Sequence, residues 1–360
     1  MIFTIPGLYI VDHHRCAGWL QSNVLLPVAG RWQRRPGAAV KCRLDPDNPQ
    51  LHCEITSIIN LTMSQSAQKL RQLLSDPDKI IVGPGVYDGL TARMALAAKF
   101  DTLYMTGAGT SMSRLGLADL GLATQTEMKE NAEMIANLDP SVPLIADADT
   151  GYGGSANVRR TVAKYISAGV AGLHLEDQVV NKRCGHLAGK QIVSRDEYYS
   201  RIRAAVNMRR QLGSDIVIIA RTDALQSLGF DEALARLKEA VAIGADVAFM
   251  EAIQTREQAI QVCNAFKEAG TPVMYGMVQG SKSPHFTIQE AKDIGIKIIV
   301  YAGVCLVPVY IGVSRALKKL KEDGDTEAYD SEITPHDLFN VCGMKELMEF
   351  DRQAAISHAS

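Results

Sequence analysis

Asp147 and Asp149 lie two residues apart at the end of the apolar run Pro143–Ala146, so on a strand both carboxylates lean to one side. Glu176 ends a second apolar run, and Asp119 sits in LGLADLG. Carboxylates gathered at one mouth repel, and some would have to take up protons. A divalent cation removes that cost. Oxygen ligands alone select Mg²⁺, with Mn²⁺ as its near equivalent, over zinc. Because Mg²⁺ keeps several waters, one direct carboxylate with the others around those waters is the expected pattern. Such an ion chelates a 2-oxo or 2-hydroxy acid and draws electrons from a developing enolate. A helix cap or a rim salt bridge explains any one of these acids equally well. The D-x-D pair with a glutamate at the next strand end favours a metal.

Other residue types fit the same chemistry. In Asn181-Lys182-Arg183-Cys184-Gly185-His186, three cationic neighbours are expected to draw Cys184 towards thiolate, from an unperturbed pKa near ~8.5. That group could then give or take a proton at the carbon where a bond breaks. An inert thiol is the alternative; the other six cysteines lack this setting, and Cys263 and Cys305 read as core. Backbone N–H groups of Thr106-Gly107-Ala108-Gly109 are placed to hold substrate oxygens. Arg221 is expected to grip a substrate carboxylate as a two-pronged fork.

These residues fall at the ends of eight short, near-continuously apolar runs: 79–82, 102–105, 143–146, 170–175, 216–220, 246–250, 272–275 and 297–301. Such runs suit strands buried on both faces. Amphipathic stretches such as FDEALARLKEAVAIG alternate with them. Eight strand–helix repeats predict a (β/α)₈ barrel, with a doubly wound open sheet as the alternative. In a barrel, chemistry collects where strands end. A first helix is expected in SQSAQKLRQLLSD before Pro77. YIGVSRALKKLKEDG and HDLFNVCGMKELMEFDRQAA read as C-terminal helices. The connection between strands four and five is long enough to carry a lid.

The chain has 360 residues, 47% of them apolar, and a net charge of −2, which gives no footprint for nucleic acid. No apolar run reaches the ~20 residues of a membrane span. Seven scattered cysteines without a C-x-x-C pair argue against a disulfide framework and for a reducing, cytoplasmic setting. Residues 1–44 hold six Lys/Arg and one acid, Asp12, a composition that makes a mitochondrial address the alternative. The expected division is an irregular or disordered extension over 1–62, a catalytic barrel over 63–325 and a helical extension over 326–360.

KRCGH, ADADTGYGG, LHLEDQ, ARTDAL and LGLADLG together resemble the isocitrate lyase/phosphoenolpyruvate (PEP) mutase superfamily over about residues 65–320. The resemblance implies a Mg²⁺-dependent barrel acting on a small carboxylic acid. It also implies a homotetramer whose C-terminal helices are exchanged between subunits. It makes Cys184 the acid/base, Asp147 the direct metal ligand, and Asp119, Asp149 and Glu176 the groups around its waters. Tyr104, Thr106, Gly107, Ala108, Lys182, Gly185, His186, Arg221 and Glu251 match substrate-site positions. PEP mutases lack the cysteine motif, which disfavours phosphonate chemistry. YMTGAGTSMSRLGLADLGLA, NAEMIANLDP and NKRCGHLAGK look most like fungal oxaloacetate hydrolases, and the 2-methylisocitrate and 2,3-dimethylmalate lyases are similar over the same span. Two positions depart from the pattern. Gly276, in Gly276-Met277-Val278-Gln279, stands where relatives carry Asn. Ala302 stands where oxaloacetate hydrolases resemble one another in Ser. The expectation is therefore an aldol-type carbon–carbon lyase with a larger, less polar pocket; the alternatives are oxaloacetate hydrolysis to oxalate and acetate, and a non-catalytic descendant.

Overall fold

The computed structural model describes residues 64–325 and 333–356, together with the backbone of short strands between residues 3 and 54. The chain divides into two compact units, Met1–Met63 and Ser64–Ser360. In the first, Phe3–Ile5, Leu8–Val11, Asn23–Val28 and Arg31–Arg34 pair as an antiparallel sheet, and Lys41–Asp45 pairs with Asn48–Glu54. The expectation of an irregular segment over 1–62 otherwise lies outside the described residues.

In the second unit eight parallel strands close into a barrel. They are β1 (Ile81–Val86), β2 (Leu103–Met105), β3 (Leu144–Asp147), β4 (Gly172–Leu175), β5 (Val217–Thr222), β6 (Val247–Met250), β7 (Val273–Met277) and β8 (Ile298–Tyr301). Pairing of β8 with β1, from Ile298↔Ile81 to Tyr301↔Pro84, seals the ring. The predicted barrel is thus observed, and the open-sheet alternative falls. β1 begins two residues later than expected and runs on through Gly83-Pro84-Gly85. The barrel wall needs a small residue here: a Cβ on Gly85 would come within 2.5 Å of the Ala302 carbonyl oxygen.

Each strand feeds an outer helix. In chain order these are α1 (Gln65–Ser75), which precedes the barrel, α2 (Gly89–Ala97), α3 (Gly107–Thr110), α4 (Gln125–Ala136), α5 (Ser155–Ser167), α6 (Arg195–Gln211), α7 (Leu225–Leu228), α8 (Phe230–Ile243), α9 (Arg256–Lys267), α10 (Ile288–Asp293), α11 (Leu306–Asp323), α12 (Pro335–Val341) and α13 (Met344–Ile356). Two apolar layers result. Leu103, Leu144, Leu173, Ile218 and their neighbours pack outward on the helices. Ile145, Val217, Ile219, Val247, Phe249, Met274 and Ile298 fill the barrel interior, where Leu70 of α1 closes the amino-terminal end. Arg71 fixes α1 there through the carbonyls of Asp215 and Ile216 and the carboxylate of Asp246.

α11 starts at Leu306, four residues earlier than expected, with Pro308 tolerated in its first turn. The last predicted helix is split at Gly343, whose φ of +88° ends α12 and turns the chain into α13. Residues 326–332 and 357–360 of the expected C-terminal extension lie outside the described ones. Among the described residues no helix is long and apolar enough to cross a membrane.

Candidate active site

The carboxyl ends of β2 to β7 carry the candidate residues, as a barrel requires. Asp147 ends β3, and its Oδ1 accepts the N–H of Asp149 at 2.9 Å. That turn holds Asp149 at φ +46°, a left-handed conformation unusual for a residue with a side chain. β2 runs into α3, whose first residue comes so near Asp147 that a Cβ on Gly107 would run into its carboxylate. Gly107 and Ala108 occupy the first helical turn, where N–H groups have no intrahelical acceptor. The Thr106 hydroxyl caps that turn by accepting from Gly109 N at 3.3 Å. Asp119 follows on the next loop.

Lys182 lies buried among these acids, 2.5 Å from Asp119 Oδ1 and 2.7 Å from Asp149 Oδ1. Glu176, fully buried at the end of β4, has Arg221 Nε 3.3 Å from its Oε2, but the pair is not aligned for a hydrogen bond. Arg221 instead donates from Nε to Asp223 Oδ2 at 2.9 Å and from Nη2 to Asp223 Oδ1 at 3.2 Å. The fork expected for a substrate carboxylate is therefore occupied by Asp223, and Arg221 can meet substrate only end-on. Glu251, after β6, faces His186 Nε2 at 2.9 Å.

Burial dominates the electrostatics. It pushes Asp147 and Glu176 upward despite the nearby Lys182 and Arg221, and Asp149 up to about 7. Asp223 goes the other way, down to about 2: Arg221 and Lys190 outweigh its burial. Cys184 corrects the sequence expectation. Burial raises its thiol, and the negative fields of Asp119 and Glu251 add to that. The three expected cations do not gather on it. Lys182 is held by Asp119 and Asp149, Arg183 turns to the Ala188 carbonyl, and His186 faces Glu251. Burial therefore favours the proton-bearing thiol over the thiolate.

The cysteine rides on a closed excursion. Its neck is the bridge between Gln178 and Ile192, reinforced by Val179 N to Gln191 O at 2.9 Å. The Gln178 amide grips Arg183 at both N–H and C=O, 3.0 and 2.8 Å away. The long connection after β4 is therefore a short flap followed by α6. A cavity of about 380 Å³ lies beside the acids, lined by Gly121, Thr124, Asp149, Tyr152, Asn157 and Arg160 among others. A larger cleft of about 570 Å³, by Gln65, Lys69 and Asp101 on the α1 side, holds none of these groups.

The family model described as phosphoenolpyruvate phosphomutase matches residues 70–321. The chain belongs to the isocitrate lyase/PEP mutase superfamily. It is 37% identical to 2,3-dimethylmalate lyase of Eubacterium barkeri, over 81% of this chain and 98% of that one. A crystal structure of 2,3-dimethylmalate lyase matches with 52% identity and a TM-score of 0.78, covering 80% of this chain and 95% of the other. One of oxaloacetate acetylhydrolase, in complex with 3,3-difluorooxalacetate, matches with 51% identity and a TM-score of 0.79, covering 81% and 98%. A lyase and a hydrolase thus match this chain about equally, and both groups are among those the sequence stretches resembled. The superfamily includes Mg²⁺-dependent lyases and hydrolases that act on carbon–carbon bonds of small carboxylic acids. This member is an enzyme of the carbon–carbon lyase type.

The donor set of this superfamily member fits such an ion. Its buried carboxylates, Asp147, Asp149 and Glu176, are pushed above their ordinary pKa by burial, a cost that a bound cation would offset. Among the described residues no three His, Cys, Asp or Glu side chains form a ready cage. An ion that retains most of its waters can be held by such acids without a closed cage. Of the two departing positions, Gly276 lies at the site: a Cβ there would sit 3.3 Å from both Glu251 Oε2 and the Phe249 ring. Ala302 packs against the β1 and β7 ends, at Gly85 and the Met277 carbonyl. Three buried residues escaped the site reading. His174 Nε2 meets Tyr104 Oη at 3.0 Å, and its Nδ1 lies 3.5 Å from Asp147 Oδ1. Burial lowers this histidine to about 3 and keeps it neutral. Gln178 and Lys190 brace the flap. For His174 and Gln178 the sequence signal was a polar residue inside or just after an apolar strand run, which looks the same whether the role is structural or chemical; Lys190, in a loop, gave none.

Proposed function

We propose that this enzyme cleaves a small 2-hydroxy or 2-oxo carboxylic acid by retro-aldol chemistry, with Cys184 as the proton donor to the departing carbon. The observation that carries this reading is the placement of Cys184 on a flap whose next residue, Gly185, fits between Glu251 and Arg221, where burial favours the protonated thiol. Asp147 would hold Mg²⁺ directly, with Asp119, Asp149 and Glu176 around its waters. Bound there, the ion would supply Lewis acidity towards the oxo-acid half of the substrate. The chain's own groups do the rest. N–H groups of Gly107 and Ala108 orient substrate oxygens, Arg221 meets a carboxylate end-on, and Tyr104 is fixed by His174. The flap excludes water, and the Cys184 Sγ proton moves to carbon. Lys182 neutralises Asp119 and Asp149, while His186 and Glu251 support the flap residue. Gly276 leaves room beside Phe249, which favours a substrate with an apolar substituent.

A second reading, oxaloacetate hydrolysis, is supported by the 51% identical hydrolase structure. A panel of hydroxy and oxo acids, oxaloacetate included, separates the two with Mg²⁺ and with EDTA. Release of pyruvate or glyoxylate that stops on chelation supports the lyase. Stoichiometric oxalate from oxaloacetate moves the assignment to the hydrolase.

A further inference from the structure

We propose that Lys190 is a positioning residue whose ammonium clasps the cysteine-bearing flap onto the barrel mouth, by holding the Gly185 carbonyl and the Asp223 carboxylate together. Its Nζ donates to Gly185 O and lies 3.0 Å from Asp223 Oδ1. The Lys190 side chain is 1% exposed and that of Asp223 0%. A lysine so far from water is tolerated only with a full set of partners, and removing one leaves an uncompensated buried charge. Here the partners come from two bodies. Gly185 belongs to the flap, and Asp223 follows β5.

The clasp reaches the chemistry through the same carboxylate. Asp223 binds Lys190 on one side and the Arg221 guanidinium on the other. Gly185 is pressed so close that a Cβ there would lie 2.5 Å from Glu251 Cγ and 2.6 Å from Arg221 Nη2. Lys190 therefore sets flap height and Arg221 orientation as one unit. Near the other end of the flap the Gln178 amide grips Arg183, so Lys190 restrains the half that Gln178 does not reach. When the flap lifts, Lys190 must leave Asp223. The ion pair then stabilises the lowered state alone, which makes it a two-state element. The consequence for turnover rests on the role given above to Cys184; the clasp itself does not.

Site-resolved alkylation tests this without a substrate. Intact protein is treated with N-ethylmaleimide, and the rates at Cys184 and at the core thiol Cys263 are read by peptide mass spectrometry. Lys190→Met is expected to speed labelling of Cys184 at least ~10-fold, since loss of one partner of a buried ion pair shifts such an equilibrium by more than a decade. Labelling of Cys263 should not change, and Lys190→Arg should recover part of the protection. If Lys190→Met folds poorly, Lys190→Met/Asp223→Asn removes the stranded carboxylate charge and is expected to label fast at Cys184 alone. A wild-type rate at Cys184 in a folded variant overturns the clasp, as does equal acceleration at Cys263, which would mean general loosening. Fast labelling with turnover unchanged leaves the clasp standing and overturns the proton-donor role of Cys184.

Discussion

Desolvation, with the fields of Asp119 and Glu251, raises the Cys184 thiol against a backbone hydrogen bond from His186 and against Lys182, whose charge is shared with Asp119 and Asp149. A donor in its acid form should be costly to lose. Cys184→Ala is expected to lower turnover by about 10²–10⁴-fold, the usual worth of a placed general acid, while Mn²⁺ affinity measured by spin resonance stays as it was. Gly185 bears a different kind of demand. Gly185→Ala must displace Glu251 or Arg221, and an error of about 1 Å near the chemistry costs on the order of 10²-fold. Measured kcat for Gly185→Ala within a few-fold of wild type would contradict the packing described. The acid pair, the cysteine motif and Arg221 were legible in the sequence because their types and spacing carry the chemistry. Their pairings were not. Lys182 and Arg221 each had several acids within reach along the chain, and only the folded geometry selects Asp119, Asp149 and Asp223.

At the level of elements, all eight strands were legible as apolar runs, and their ends placed the site. The errors fell where a signal had two meanings. The apolar run that marked β1 stopped at Val82, yet the strand continues through Gly83 and Gly85 to Val86, and Gly343 lay hidden inside a helical pattern that it interrupts. Neighbouring helices are tied at the surface too. Glu232 of α8 accepts from Arg195 of α6 and from Arg236 on its own helix. The Arg195 bond, ahead of Arg236, draws Glu232 down to about 2, below an ordinary glutamate value near ~4.3. A carboxylate lowered on folding contributes stability that is complete above the unfolded value and is lost as pH falls through the folded one. Between about pH 4 and pH 2 the melting temperature of Glu232→Gln should therefore fall less steeply than that of wild type. Parallel curves would show that the arginines do not hold Glu232 in solution.

Across the whole molecule, the carboxyl-terminal helices stand apart. α11 has no buried residue, and Tyr310 is 74% and Phe350 70% exposed. Large apolar side chains exposed in such number are more typical of a surface that another subunit covers. We expect sedimentation equilibrium to give a homotetramer and Met348→Glu/Phe350→Glu to lower the assembly mass; a wild-type monomer would remove the need for exchanged helices. The paired neck at Gln178 and Ile192 has a consequence of another kind. Entry and exit of the flap lie side by side, so the residues between them form a cassette whose replacement leaves the scaffold's register untouched. Transplanting that cassette between relatives would exchange the cysteine and its supports while the barrel strands keep their pairing.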